Sequence, residues 1–180
     1  MNSKKTIFVV TTALGLALAT QSAVVRAEIF MTPDQAKKAL WQDVHMTHSP
    51  ITLTQEQMDS IEDASDTWVR NDTLNAYKTS SGGWFILDQV VGKHEMIDIA
   101  VALDASGKVK GIEVLEYRET YGGQVRHAKW LAQFLGKDYT EHLKLDEQIQ
   151  NISGATLSCR HITDGINRLT HTWHQVLQYL

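Results

Sequence analysis

Apolar and polar positions follow two rhythms along the chain, and each predicts its own kind of element. Thr32-Pro33-Asp34 places a hydroxyl, a proline and an acid in the order that opens a helix, predicted to run through Val44. Thr54 with Gln57 forms a capping box, so a second helix is predicted over 55–65. In the middle of the chain the apolar period falls to two. The stretches 75–79, 84–91, 95–103 and 109–117 are rich in β-branched and aromatic residues and read as strands. Ile97, Ile99 and Val101 alternate with Asp98 and Ala100, the pattern of a half-buried strand. Asp104-Ala105-Ser106-Gly107 joins the last two strands as a hairpin turn.

Helical spacing then returns. Trp130, Leu131, Phe134 and Leu135 form one apolar face over 124–136. A last helix over about 158–178 carries Ile162, Ile166, Leu169, Trp173, Val176 and Leu177 on a single stripe. Helices on either side of a run of strands predict an α+β fold, an antiparallel sheet with packed helices in a single domain.

The first residues do not belong to that domain. Lys4 and Lys5 precede an apolar stretch from Ile7 to Ala19, and Val25-Arg26-Ala27 offers a cleavage site. This is the order of a secretory signal peptide, 1–27, with an uncleaved signal anchor as the alternative. The remainder divides into an N-terminal helical segment, 28–70, and a main domain, 71–180. Cleavage removes three basic residues and no acid, which takes the net charge from −4 to −7. An acidic exported domain without a basic run argues against a nucleic-acid partner. The single cysteine, Cys159, forbids an internal disulfide, a CxxCH haem attachment and any multi-cysteine metal site. Its place beside the last apolar stripe reads as a buried, inert thiol.

Eight histidines raise the question of a metal. His171 and His174 stand at i and i+3, but opposite the apolar stripe, where a solvated surface is the simpler reading. His45 and His48 lie in a connecting segment, and His127 and His161 have no ligand-spaced neighbour. A metal or haem carrier built on His171 and His174 stays as an alternative, and no metal ligand is assigned. No serine sits in GxSxG, no phosphate-binding P-loop is present, and no catalytic residue is assigned.

The stretch Asn151-Ile152-Ser153-Gly154-Ala155-Thr156 places small residues at the mouth of the last helix. Ser153 or Thr156 acting as a plain helix cap is one reading. The other is an anion seat, since Gly154 permits an unusual backbone, Ala155 keeps the wall low, and free helical N–H groups attract negative charge.

Three blocks, in order, resemble the FMN-binding domain family found in the flavin subunits of ion-pumping NADH:quinone reductases and Rnf-type complexes. They are the Gly107–Ile112 hairpin leading to Glu119-Thr120-Tyr121-Gly122-Gly123, then Trp130 and Phe134 before Gly136-Lys137, and then Ser153-Gly154-Ala155-Thr156. The resemblance covers roughly 101–169 and implies that 71–180 is an FMN-binding domain. It also implies FMN joined through its phosphate to Thr156 by a flavin transferase, with Ser153, Gly154, Ala155, Glu119, Thr120 and Gly122 around the cofactor. The activity implied is periplasmic electron transfer between a membrane-bound electron donor and a redox acceptor protein, more a carrier or redox subunit than a free-standing enzyme. Two positions depart from the family. Gln150 stands where an acid usually precedes the threonine by six residues, and Tyr121 stands in the loop where many members have proline. Non-covalent binding of FMN or another phosphorylated ligand, without redox turnover, is the alternative these departures support.

Overall fold

A computed structural model of the chain describes residues 28–180; the expected signal peptide, 1–27, lies outside them. The elements follow in the order β1 (Glu28–Ile29), α1 (Pro33–Trp41), β2 (Met46–His48), β3 (Ile51–Thr52), α2 (Gln55–Ser65), β4 (Thr73–Thr79), β5 (Trp84–Val91), β6 (Met96–Leu103), β7 (Val109–Tyr117), α3 (Ala128–Leu131) and α4 (Thr156–Gln175). The antiparallel sheet runs β1-β7-β6-β5-β4-β2, with β3 also paired to β4. The fold is α+β as the periodicity predicts, but β1, β2 and β3 are too short to show a period in sequence. Two of them, β1 and β2, extend the main sheet from within 28–70.

The α1 and α2 starts follow from local chemistry. Thr32 with Gln35 and Thr54 with Gln57 each form a capping box, satisfying two orphan N–H groups per helix. The first helix stops at Trp41, not Val44. Gln42 takes a positive φ of 52°, and its N–H closes back on Lys38 while Trp41 is buried on the sheet.

Strand β6 shows why both sheet faces are covered. Ile97, Ile99, Val101 and Leu103 enter the main core with Ile162, Ile166, Leu169 and Trp173 of α4 and Trp130 and Phe134 of the α3 segment. The alternate residues Ala100 and Ala102 do not face water. They pack with Ala36 and Trp41 of α1, Phe85 and Leu115, small enough to let α1 lie close. The strand is therefore buried on two sides rather than one.

The stretch 124–136 is not one helix. A 3-10 turn (Gly123–Arg126) is followed by His127 in extended conformation, the single turn of α3, and a second 3-10 turn (Ala132–Phe134). Val125 accounts for the break. On a continuous helix it would point roughly opposite Trp130, Leu131 and Phe134, yet all four are buried in the same core. Leu135, expected on the apolar face, is half exposed.

The last helix begins at Thr156, two residues before the predicted start, and ends at Gln175 ahead of a 3-10 turn (Leu177–Tyr179). Its predicted stripe is buried throughout. A second face is buried as well: Asn167 accepts from the Leu143 N–H at 3.0 Å and donates to the Leu143 carbonyl at 2.8 Å, tying the approach segment to α4.

Candidate functional site

An open cleft of about 580 Å³ lies where the loop after β7 meets the turn before α4. Thr120, Gly122, Ser153 and Gly154 line it, although the two pairs are more than thirty positions apart in sequence. Its size falls in the range of small-molecule sites. A second cavity of about 540 Å³ lies along α1, β4 and β5, with Leu53, Leu87 and Leu115 in its wall. None of the candidate residues borders that cavity, so the motif chemistry belongs to the first cleft.

The two sides of the cleft meet through glycine. Gly122 has φ +95°, and a Cβ there would lie 2.5 Å from the Tyr117 Oη and 3.1 Å from the Ala155 Cβ. The loop can rest on the turn only because Gly122 has no side chain and Ala155 has one carbon. Tyr117 locks the contact: its hydroxyl donates to the Tyr121 carbonyl at 2.6 Å and shares a 2.9 Å bond with the Ser158 hydroxyl on α4. Burial pushes the Tyr117 phenol above its ordinary range; the Ser158 bond opposes that and the Glu119 charge adds to it, so Tyr117 stays a protonated donor.

The turn before α4 is equally determined. Ala155 N–H donates to the Ile152 carbonyl at 2.9 Å, and Gly154 occupies the left-handed position with φ +84°. Ala155 is the helix N-cap, and no side chain caps α4. The cap reading of Ser153 or Thr156 is thereby corrected: Thr156 is the first helical residue, and Ser153 lies exposed on the turn. Without a side-chain acceptor, the first N–H groups of α4 remain a favourable seat for negative charge.

Thr156 itself is half-buried. Its Oγ1 accepts from Asn151 Nδ2 at 3.2 Å, while Asn151 Oδ1 is buried with no partner. The segment leading in is held by its backbone. Trp130 Nε1 donates to the Gln150 carbonyl at 2.7 Å, and the Gln150 N–H donates to Gln133 Oε1 at 2.7 Å. Gln150 is exposed. The block around α3 thus fixes the main chain six residues ahead of Thr156.

Glu119 is brought to the neighbourhood but faces elsewhere. Its carboxylate accepts from the backbone N–H groups of His94 and Glu95 in the β5–β6 turn. Burial pushes it up, but those N–H groups, with that of Lys93, outweigh burial and hold it below the usual carboxylate range. Glu119 is therefore an ionised brace between the loop and the β5–β6 hairpin.

Several lining residues carry no signal in the local sequence. Phe30 follows β1, which pairs with β7, and the Arg126 guanidinium lies 4.1 Å from its ring centroid. Arg126 gives the cleft a positive charge, and the Tyr121 ring, 81% exposed, stands at its edge. These are partners an aromatic, phosphate-bearing ligand needs: a ring surface and a cation for the phosphate. The residues present fit FMN.

Histidines elsewhere form a different cluster. The Tyr139 ring stacks on His174 at 3.7 Å and meets His171 edge-on at 6.1 Å, so these histidines are half-buried rather than fully solvated. Among the described residues, no three His, Cys, Asp or Glu side chains converge as a metal would require. Among the same residues, no helix is long and apolar enough to cross a membrane.

Comparison with known proteins bears on the same segment. No curated protein matches the chain. A solved structure, that of the C subunit of the Na(+)-translocating NADH-quinone reductase from Parabacteroides distasonis, aligns with a TM-score of 0.42 and 11% identity, covering 81% of this chain and 79% of that one. The sequence profile of the FMN-binding domain matches residues 92–171, which contain the β6–β7 hairpin, the Glu119–Gly123 loop, the α3 block and the Ser153–Thr156 turn. Over residues 92–171 the chain is therefore similar to the FMN-binding domain family.

Proposed function

We propose that this protein is a periplasmic electron-transfer flavoprotein in which FMN is esterified through its phosphate to Thr156 by a flavin transferase. It would pass electrons between a membrane-bound donor and a redox acceptor protein. The observation that carries the reading is the convergence of Thr120–Gly123 and of Ser153–Gly154, which lead into Thr156, on one cleft within the segment matched by the FMN-binding family. FMN supplies the electron chemistry when bound.

The chain's own residues do the rest. The uncapped end of α4 and Arg126 favour the phosphate charge. Phe30 and Tyr121 offer surface to a planar ring, and Tyr117 with Gly122 keeps the two walls in register. A covalent bond suits an exported protein, because a dissociable cofactor is retained only while its free concentration sustains occupancy. The signal-like segment 1–27 is the support for export.

The test is co-expression of the full chain with a flavin transferase, followed by a denaturing gel read for flavin fluorescence. A bright band that Thr156→Ala abolishes is the expected result. A dark wild-type band, beside a labelled control substrate, would defeat the covalent reading. The exposed Gln150, in place of the acid typical of the family, favours a second reading in which FMN sits in the cleft without a bond. Flavin that copurifies but leaves the protein on denaturation would select that second reading.

A further inference from the structure

We propose that Asn151 is a positioning residue for the modification of Thr156, acting as a fixed donor to the hydroxyl that becomes the ester oxygen. The inference rests on the reading of Thr156 as the attachment point.

Two observations carry it. Asn151 Nδ2 donates to Thr156 Oγ1 at 3.2 Å, and its own Oδ1 is buried without a partner. A carboxamide that leaves a buried acceptor unpaired needs a reason to keep that orientation, because an orphan polar atom is normally eliminated. The main chain on both sides is anchored. Gln150 is fixed through its N–H and its carbonyl by Gln133 and Trp130, and the Ile152–Ala155 turn follows at once. The backbone that carries Asn151 is therefore held beside Thr156.

The chemistry of the transfer explains the orientation. A threonine hydroxyl has one proton and two lone pairs. A donor occupying one lone pair leaves the other free to attack, and leaves the O–H free to give up its proton. With FAD as donor, the Oγ1 lone pair forms a bond to the phosphorus of the FMN half. The P–O bond to the AMP half breaks, AMP departs with that electron pair, and the hydroxyl proton passes to a base of the transferase. Nothing is oxidised or reduced. As Oγ1 loses its proton it gains negative character, and the N–H bond to it strengthens. After the ester forms, Oγ1 has no hydrogen and can only accept. The amide as oriented keeps its partner through the reaction, whereas a reversed amide would oppose one acceptor to another.

Asn151→Leu, similar in size, removes both the donor and the orphan acceptor; Asn151→Asp keeps the shape and removes the donor. Each full chain is incubated with purified flavin transferase and FAD. Covalent flavin is followed over time by intact mass and denaturing-gel fluorescence, with the thermal midpoint measured in parallel. Both variants are expected to load about tenfold more slowly than wild type, the scale of one lost hydrogen bond. The Asn151→Leu midpoint should equal or exceed that of wild type, since an unpaired buried oxygen is gone. Should Asn151→Leu fail to fold, Asn151→Asp alone decides the outcome. Loading within twofold of wild type in a folded variant overturns the proposal and leaves Thr156 as the attachment point. So does slow loading that only follows a matching fall in midpoint, which would make Asn151 structural. A wild type that stays unlabelled beside a labelled control overturns both readings together.

Discussion

Replacing Gly122 by alanine tests whether the cleft is held by contact between its two walls. Two costs add. A side chain in the left-handed region, here at φ +95°, costs about 1–2 kcal/mol. The new Cβ would also stand 2.5 Å from the Tyr117 Oη, so the hydroxyl must move off the Tyr121 carbonyl and the Ser158 hydroxyl. Losing those two hydrogen bonds adds roughly 1–3 kcal/mol. Together the loss is about 3 kcal/mol, a fall in thermal midpoint of roughly 6–12 °C for a chain of this size. Gly154→Ala is the internal control. Gly154 has a similar φ of +84°, but nothing lies within 4 Å of its added Cβ, so it should lose only the backbone part. Both variants are measured by thermal and urea unfolding, each in the wild-type and Tyr117→Phe backgrounds. The Gly122→Ala cost should shrink when the Tyr117 hydroxyl is already absent, while the Gly154→Ala cost should not. Equal losses for the two glycines, with no dependence on Tyr117, would refute the contact argument.

Two further predictions concern the frame around the site. Arg168 on α4 pairs with Asp88 on β5 at 2.5 Å, both largely removed from water, so Arg168→Met should cost about 2–4 kcal/mol by stranding the carboxylate. Adding Asp88→Leu should restore most of that in urea unfolding, and a double variant no better than the single one would count against it. His171 is held below its ordinary 6.5, chiefly by burial and then by the nearby His142 and His174 charges. The unfolded chain therefore takes up a proton as pH falls through about 6.5 while the folded chain resists until lower pH, so folding stability declines over that window. His171→Gln should flatten the decline in urea midpoints measured between about pH 7.5 and 5.5, and an unchanged slope would show that His171 is not its source.

Elements governed by neighbouring residues are legible in the sequence itself. The α2 span is predictable because Thr54 and Gln57 declare its start within four positions. The β6–β7 turn is predictable because Asp104 accepts from the N–H groups of Ser106 and Lys108, a local device. Elements decided by distant partners are not. The break at His127 exists because Val125 must reach the same core as Trp130, a demand set by the sheet rather than by the segment. For the site, the motifs name seven residues, of which Thr120, Gly122, Ser153 and Gly154 share a cleft, while Glu119, Ala155 and Thr156 stand beside it. Nothing local points to Phe30, which depends on β1 closing onto β7, or to Glu119 turning toward the β5–β6 hairpin. The grip of Trp130 on the Gln150 carbonyl is similarly invisible, since an indole twenty residues away reads as simple packing.

Cys159 provides a built-in clock for the site. It is the sole cysteine of the chain, wholly inaccessible in the first turn of α4, and its N–H closes that turn on the Ala155 carbonyl at 2.9 Å. Burial also raises its pKa, so a thiol reagent can act only in moments when this turn has opened. Alkylation kinetics in native buffer would therefore time the fraying of the helix end that bears Thr156, separately from unfolding of the whole chain. Comparing flavin-loaded and flavin-free protein would turn that single sulfur into a measure of how far the cofactor stiffens its own attachment turn.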